Sequence, residues 1–283
     1  MSRRPFVLVD VRTLSARLAE PAPLVLADVR WNLTGPPGRP QYADGHLPGA
    51  QWVDLETELS GPLQPSRTGG RHPLPEPEVF AAAMRRIGVT SGTEVVVYDG
   101  GSSLAAARLW WLLLDAGFPH VRVLDGGFAA WQRAGLPVET GPGTPVPPGD
   151  FRGRPGQLPR LGAADVAALI TAAPSATRLV DVRAAERYAG TSEPLDPVAG
   201  HIPTAVNRPS TDNLSADGRF RPPAEIAERF AGHSDPVLYC GSGITAAHTL
   251  LALRTAGLDG RIYPGSWSDW VSDPDRPVAT GPE

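Results

Sequence analysis

The sequence predicts an α/β protein made of two tandem copies of one domain, each a mostly parallel sheet flanked by helices. Three observations carry this. One ordered set of phrases occurs twice, roughly 140 to 155 residues apart. The strand-like phrases are short continuous apolar runs such as Val95-Val96-Val97, the pattern of parallel strands buried on both faces. Between the copies, residues 141–160 are more than half glycine and proline, which excludes a helix or a central strand and marks a linker. The expected organisation is a first domain over 1–140, a linker over 141–160 and a second domain over 161–283.

The elements repeat in order. Leu24-Val25-Leu26-Ala27-Asp28-Val29-Arg30 is answered by Arg178-Leu179-Val180-Asp181-Val182-Arg183, an apolar strand ending in Asp-x-Arg. Gly45-His46-Leu47-Pro48-Gly49-Ala50 is answered by Gly200-His201-Ile202-Pro203-Thr204-Ala205. Glu94 to Gly100 is answered by Pro236 to Gly241, a second strand. Helical stretches follow over 103–116 and 245–256. Val121 to Gly127 with Trp131 then corresponds to Gly260 to Gly265 with Trp270. Asp28, Asp181, Arg30, Arg183, His46 and His201 recur in both halves, so they read as scaffold. The tryptophans Trp31, Trp131, Trp267 and Trp270 read as packing.

Composition narrows the class of function. With 283 residues there is room for two cores, and a formal charge of −4 provides no field for a polyanion, so nucleic acid is not an expected partner. Every basic residue is arginine, so an anionic substrate must be held by arginine or backbone, and no lysine Schiff base is possible. A single cysteine excludes an intramolecular disulfide and any Cys-x-x-Cys metal site, which makes a reducing cytoplasm the expected compartment. The apolar run from Phe6 to Val11 is too short for a signal peptide or membrane span. No zinc-type ligand set and no cofactor motif is present, so neither is expected.

That cysteine, Cys240, stands where the strand 237–239 meets the helix, in Cys240-Gly241-Ser242-Gly243-Ile244. A thiol there meets backbone N–H groups and the positive end of a helix dipole, both of which favour thiolate. The plainer reading is a small core hydrophobe. The duplication discriminates, because the first half keeps the same surroundings and carries Asp99 instead. One active half and one degenerate half is the expectation.

These phrases resemble the rhodanese superfamily in its two-domain form, over nearly the whole chain. The resemblance implies two rhodanese-like domains and a sulfurtransferase in which Cys240 accepts a sulfane sulfur as a persulfide and passes it on. The loop Cys240-Gly241-Ser242-Gly243-Ile244-Thr245-Ala246 resembles that of the 3-mercaptopyruvate-type members, whereas thiosulfate-type members more often carry Arg and Lys there. It also implies a donor site with Arg187, Gly241, Gly243, Ile244 and Thr245, and a catalytic set of Cys240, Ser242, His72 and Glu56. His72 would relay a proton and Glu56 would fix its orientation. Thr245 reads first as the helix N-cap. Such members usually bear a second arginine shortly before Gly-His; here Asp196 stands near that place, which weakens the case for a carboxylate donor.

A persulfide is anionic and needs several donors at once, which a curled glycine-rich loop provides. The implied partners are a small-molecule sulfur donor and an acceptor such as cyanide, thioredoxin or a glutathione-like thiol. Thiosulfate sulfurtransfer by the same mechanism is the alternative, and a non-catalytic sulfur carrier a more distant one. A cysteine phosphatase needs an arginine six positions after the cysteine, where this chain has Ala246.

Overall fold

A computed structural model describes residues 7–172, 179–233 and 235–282. Met1–Phe6 and Arg178, which begin two of the runs read from the sequence, lie outside the described residues. The chain forms two compact units that do not follow it in simple order. The first comprises Met1–Gly61, Pro75–Gln157 and Ser215–Phe220; the second comprises Pro62–Leu74, Leu158–Leu214 and Arg221–Glu283. This differs from a single cut at the 141–160 stretch, because each half gives one segment to the other unit. Hydrogen bonding explains the exchange. The Gly69 N–H donates to Asp269 Oδ1 (2.8 Å) and the Arg71 N–H to Ser268 Oγ (2.9 Å). Conversely, the Phe220 N–H donates to Asp125 Oδ1 (3.0 Å) and Arg133 Nη2 to the Asp217 carbonyl (2.8 Å).

In the first unit the elements are β1 (Leu8–Val9), α1 (Val11–Leu18), β2 (Leu24–Asp28), α2 (Gly38–Asp44), β3 (Gln51–Trp52), α3 (Pro77–Arg86), β4 (Glu94–Tyr98), α4 (Leu104–Asp115), β5 (Val121–Leu124) and α5 (Gly127–Arg133). Asp10 starts α1 by accepting the Thr13 N–H at 2.8 Å. The strands pair in parallel in the order β1-β5-β4-β2-β3. Val95, Val96 and Val97 of central β4 are fully buried, as a strand covered on both faces requires.

In the second unit the elements are α6 (Ala163–Ala172), β6 (Leu179–Asp181), α7 (Ala185–Ala189), β7 (Val206–Asn207), α8 (Pro223–Arg229), β8 (Val237–Tyr239), α9 (Ile244–Thr255), β9 (Arg261–Ile262) and α10 (Ser266–Trp270). Its sheet runs β7-β6-β8-β9, again parallel, matching β3-β2-β4-β5. Where the first unit has β1, the second has an isolated parallel bridge from Arg160 to Ile262.

The residues recurring in both halves brace these sheets. Arg30 Nη2 bonds Asp28 Oδ2 at 2.6 Å and continues to the Gly45 carbonyl; Arg183 Nη2 bonds Asp181 Oδ2 at 2.6 Å and the Gly200 carbonyl at 2.6 Å. Arg30 lies 4.4 Å over Phe128 and Arg183 4.6 Å over Trp267. His46 stacks on Tyr42 at 3.9 Å, and His201 on Tyr188 at 3.8 Å. Burial opposes the charge on Arg183, but Asp181, together with Tyr239 and Glu193, raises the guanidinium's pKa on balance. Asp181→Ala would leave the buried Arg183 with Glu193, 3.1 Å from its Nη1, as its remaining carboxylate, and is expected to lower unfolding free energy by about 3 kcal/mol, read by urea denaturation; a loss below about 1 kcal/mol would contradict this bracing role.

Candidate active site

The strand β8 ends at Tyr239, Cys240 follows it, and α9 begins four residues after the cysteine. So short a connection is possible because Gly243 takes φ +84°, and a Cβ there would lie 2.2 Å from the Pro264 carbonyl. Gly243, and not Thr245, therefore caps α9, with no side-chain cap bond. Thr245 is already inside the first turn, because the left-handed glycine starts the helix earlier than side-chain capping would. Gly241, by contrast, has no positive φ.

The loop is held from outside by α10. The Cys240 carbonyl accepts the Trp267 N–H (3.0 Å), and the Gly241 carbonyl accepts the Ser268 N–H (3.0 Å). The Cys240 N–H donates to Ser266 Oγ at 3.0 Å. The Gly243 N–H then points inward and donates to Cys240 Sγ at 3.1 Å. Cys240 is 2% exposed, as a packing cysteine would be; the N–H aimed at its sulfur is what sets it apart.

The first unit contains the same loop with a different acceptor. Asp99 Oδ1 accepts the N–H groups of Gly101 (2.9 Å) and Ser103 (2.9 Å), and Oδ2 those of Ala105 (3.1 Å) and Ala106 (3.3 Å). Burial pushes the Asp99 carboxyl above its ordinary range, and these four N–H groups pull against that rise. The loop there is one residue longer, since Ser103 (φ +59°), four positions after Asp99, precedes α4, whereas Gly243 stands three after Cys240. The helix thus begins five residues after Asp99 but four after Cys240.

Around the Cys240 loop the second unit gathers further side chains. His72 Nδ1 lies 2.7 Å from Ser242 Oγ, and both residues are buried. The segment bearing His72 reaches this place because Gly70, at φ +80°, lies against Gly265, where a Cβ would come within 2.4 Å of the carbonyl. Arg187 forks onto Glu193 through Nε–Oε2 (3.0 Å) and Nη2–Oε1 (2.7 Å), and its Nη2 lies 3.3 Å from Asp196 Oδ2. Burial opposes the Glu193 charge, but the Arg187 hydrogen bond and charge hold its carboxyl below the ordinary range. Ile244 is buried at the first turn of α9. Glu56 lies in the first unit and accepts the Trp31 Nε1–H at 2.6 Å.

Arg71 was missed in the sequence. Its Nε lies 3.1 Å from Asp196 Oδ1, and a methyl group placed on Gly241 would meet Arg71 Nη2 at 2.8 Å and Arg187 Nη1 at 3.3 Å. Two guanidinium ends therefore sit over the residue next to Cys240, despite the absence of an arginine just before Gly200-His201. The one available signal was its place beside His72. Among the described residues no group of three or more His, Cys, Asp or Glu side chains is placed to hold a metal, and no helix is long and apolar enough to cross a membrane.

Residues 5–134 and 163–273 each match the Rhodanese-like domain. The chain belongs to the rhodanese family. A Pseudomonas aeruginosa relative, provisionally named a 3-mercaptopyruvate sulfurtransferase, is 46% identical, covering 97% of this chain and 98% of its own. A Mycobacterium tuberculosis relative, provisionally named thiosulfate sulfurtransferase SseB, is 41% identical over 99% of each chain. The solved structure of SseA from Escherichia coli, described as a 3-mercaptopyruvate sulfotransferase with the rhodanese fold, superposes with a TM-score of 0.80 at 32% identity, covering 93% of this chain and all of SseA.

In this rhodanese-like loop Gly243 has no freedom to change. Gly243→Ala combines left-handed backbone with a 2.2 Å contact to backbone, and is expected to destabilise the protein by about 2 kcal/mol or more in thermal unfolding; a Tm equal to wild type would contradict the geometry. Asp99→Ala would strip four N–H groups of their acceptor. A loss of about 2–4 kcal/mol is expected in the same measurement, and no loss would mean that water satisfies those groups.

Proposed function

We propose that the protein is a sulfurtransferase that moves a sulfane sulfur through a Cys240 persulfide, with 3-mercaptopyruvate as donor. The observation that carries this reading is the Gly243 N–H on Cys240 Sγ in a loop whose twin holds a carboxylate with four N–H groups. A site of that kind suits an anionic sulfur. The names of the Pseudomonas and Escherichia relatives support the donor class.

In the loading step the Cys240 thiolate attacks the donor's sulfur and forms the S–S bond. The carbon–sulfur bond breaks, its electron pair passes to the carbon as pyruvate enolate, and a proton completes pyruvate. The Ser242–His72 pair, 2.7 Å apart, moves that proton. Arg187 holds the donor's carboxylate, with the backbone of Gly241, Gly243, Ile244 and Thr245 lining the site. In the discharge step an acceptor nucleophile attacks the outer sulfur and Cys240 leaves as thiolate. Cyanide gives thiocyanate, a small thiol of the glutathione kind takes the sulfur as its own persulfide, and a dithiol such as thioredoxin becomes a disulfide and releases sulfide. A lone cysteine fits a reducing compartment such as the cytoplasm.

The Mycobacterium relative's name favours a second reading with the same cysteine. Thiosulfate would give up its outer sulfur, with sulfite leaving on the bonding pair. Intact mass spectrometry after incubation with 3-mercaptopyruvate should show one added sulfur, absent in Cys240→Ser. Turnover of Ser242→Ala and His72→Ala with that donor should fall by about 10²–10⁴-fold. Wild-type turnover in Cys240→Ser would overturn the mechanism, and unimpaired His72→Ala would remove the relay.

A further inference from the structure

Asp196 is an unexpected group beside an anion site. Its carboxylate is fully buried and faces arginines from two separate segments: Arg71 through Oδ1 at 3.1 Å and Arg187 through Oδ2 at 3.3 Å, with Arg67 Nη1 at 4.0 Å. The side chains of Arg71 and Arg187 are 15% and 16% exposed, so the carboxylate is sealed while both arginines still reach solvent. Both ends converge over Gly241, beside the nucleophile. The charges differ in how fully they are answered. Arg187 is forked by Glu193 and also meets Asp196, whereas the ion pair of Arg71 is with Asp196, which it shares. Among the described residues, four guanidiniums in this cluster (Arg67, Arg71, Arg183, Arg187) meet three carboxylates (Asp181, Glu193, Asp196). The surplus favours an anion.

The segment that carries Arg71 is fixed at the backbone. The Gly69 N–H is bound to Asp269, the Arg71 N–H to Ser268 Oγ, and His72 is bound to Ser242. Arg71 therefore projects from a tethered turn between two anchored neighbours, and its Nε lies within ion-pair distance of Asp196, 3.1 Å from Oδ1. Holding a long side chain this way removes rotamer freedom before any ligand arrives, which strengthens binding.

Building on the sulfurtransferase reading, we propose that Arg71 is the second cation of the donor site, that Asp196 is the positioning residue that aims it, and that the Arg71–Arg187 pair takes the carboxylate of a thiol-bearing 2-oxo acid. Asp196, which in the sequence argued against a carboxylate donor, thereby acts for one, by holding an arginine from a distant segment in the same place. Two guanidinium ends over one residue suit the two oxygens of a carboxylate, and leave the thiol-bearing carbon of so short an acid directed at Cys240.

Steady-state kinetics of Arg71→Ala, Arg71→Lys, Asp196→Asn and the Arg71→Ala/Asp196→Asn pair test this, with 3-mercaptopyruvate and thiosulfate as donors and pyruvate and sulfite as inhibitors. Arg71→Ala should raise the KM for 3-mercaptopyruvate and the inhibition constant of pyruvate by roughly 10- to 100-fold, while kcat at saturating donor falls far less. Arg71→Lys should recover part of the loss. Asp196→Asn should raise the same constants by less, and adding it to Arg71→Ala should change little further, since a positioning residue acts through the residue it positions. Thermal unfolding of each variant separates misfolding from lost binding, and Arg71→Lys supplies the test if Arg71→Ala does not fold. A KM and pyruvate constant within twofold of wild type in Arg71→Ala, or fully additive effects in the double variant, would overturn the proposal. A larger effect on thiosulfate and sulfite than on 3-mercaptopyruvate and pyruvate would overturn the carboxylate assignment. A wild-type protein that takes sulfur from neither donor would instead overturn the underlying reading, and this proposal with it.

Discussion

A chain that leaves a buried strand and enters a helix within a few residues turns several backbone N–H groups towards one point, and each needs an acceptor. The rest of the molecule depends on how that need is met. In the first unit the acceptor is built in: Asp99 takes four N–H groups and closes the loop on itself. In the second the acceptor is the sulfur of Cys240, with the Gly243 N–H on it. A sulfur can gain and lose a further atom where a carboxylate cannot, and the proposed sulfur transfer uses that difference between the two copies.

The loop cannot hold that shape alone. Its carbonyls are tied to α10, and its sharp exit needs Gly243 against Pro264. The segment 62–74 then brings His72 and Arg71 to the same loop, fastened through Gly69, Arg71 and the close approach of Gly70 to Gly265. The reverse exchange, 215–220 in the first unit, has Phe220 bound to Asp125. The buried Asp181–Arg183 pair and the Tyr239 hydroxyl, which accepts the Ile202 N–H at 3.1 Å, fix the end of the sheet from which β8 delivers the cysteine.

Much of this was legible in the sequence because the chain is duplicated. In both units the Asp-x-Arg arginine bonds its own aspartate and the Gly carbonyl of Gly-His-x-Pro, and β4 and β8 lie where their apolar runs placed them. What was not legible arises from contacts between residues far apart in the chain. His72 and Ser242 are 170 positions apart, so no local pattern could place Arg71, next to His72, beside Arg187. The charge of Asp196 taken alone speaks against a carboxylate donor, and the sequence does not reveal that the fold sets it against Arg71 and Arg187. Thr245 was read as a cap from its residue type, whereas the backbone of Gly243 decides where α9 begins.

The central claim is that the Cys240 loop is a cradle for an anionic sulfur. Amide chemical shifts of ¹⁵N-labelled protein, before and after loading with one equivalent of donor, address it directly. The account predicts that the signals of Gly241 to Thr245 move, Gly243 among the most, while those of Gly101 to Ala106 around Asp99 stay in place. Loading of sulfur on Cys240 with those loop signals unmoved would contradict it.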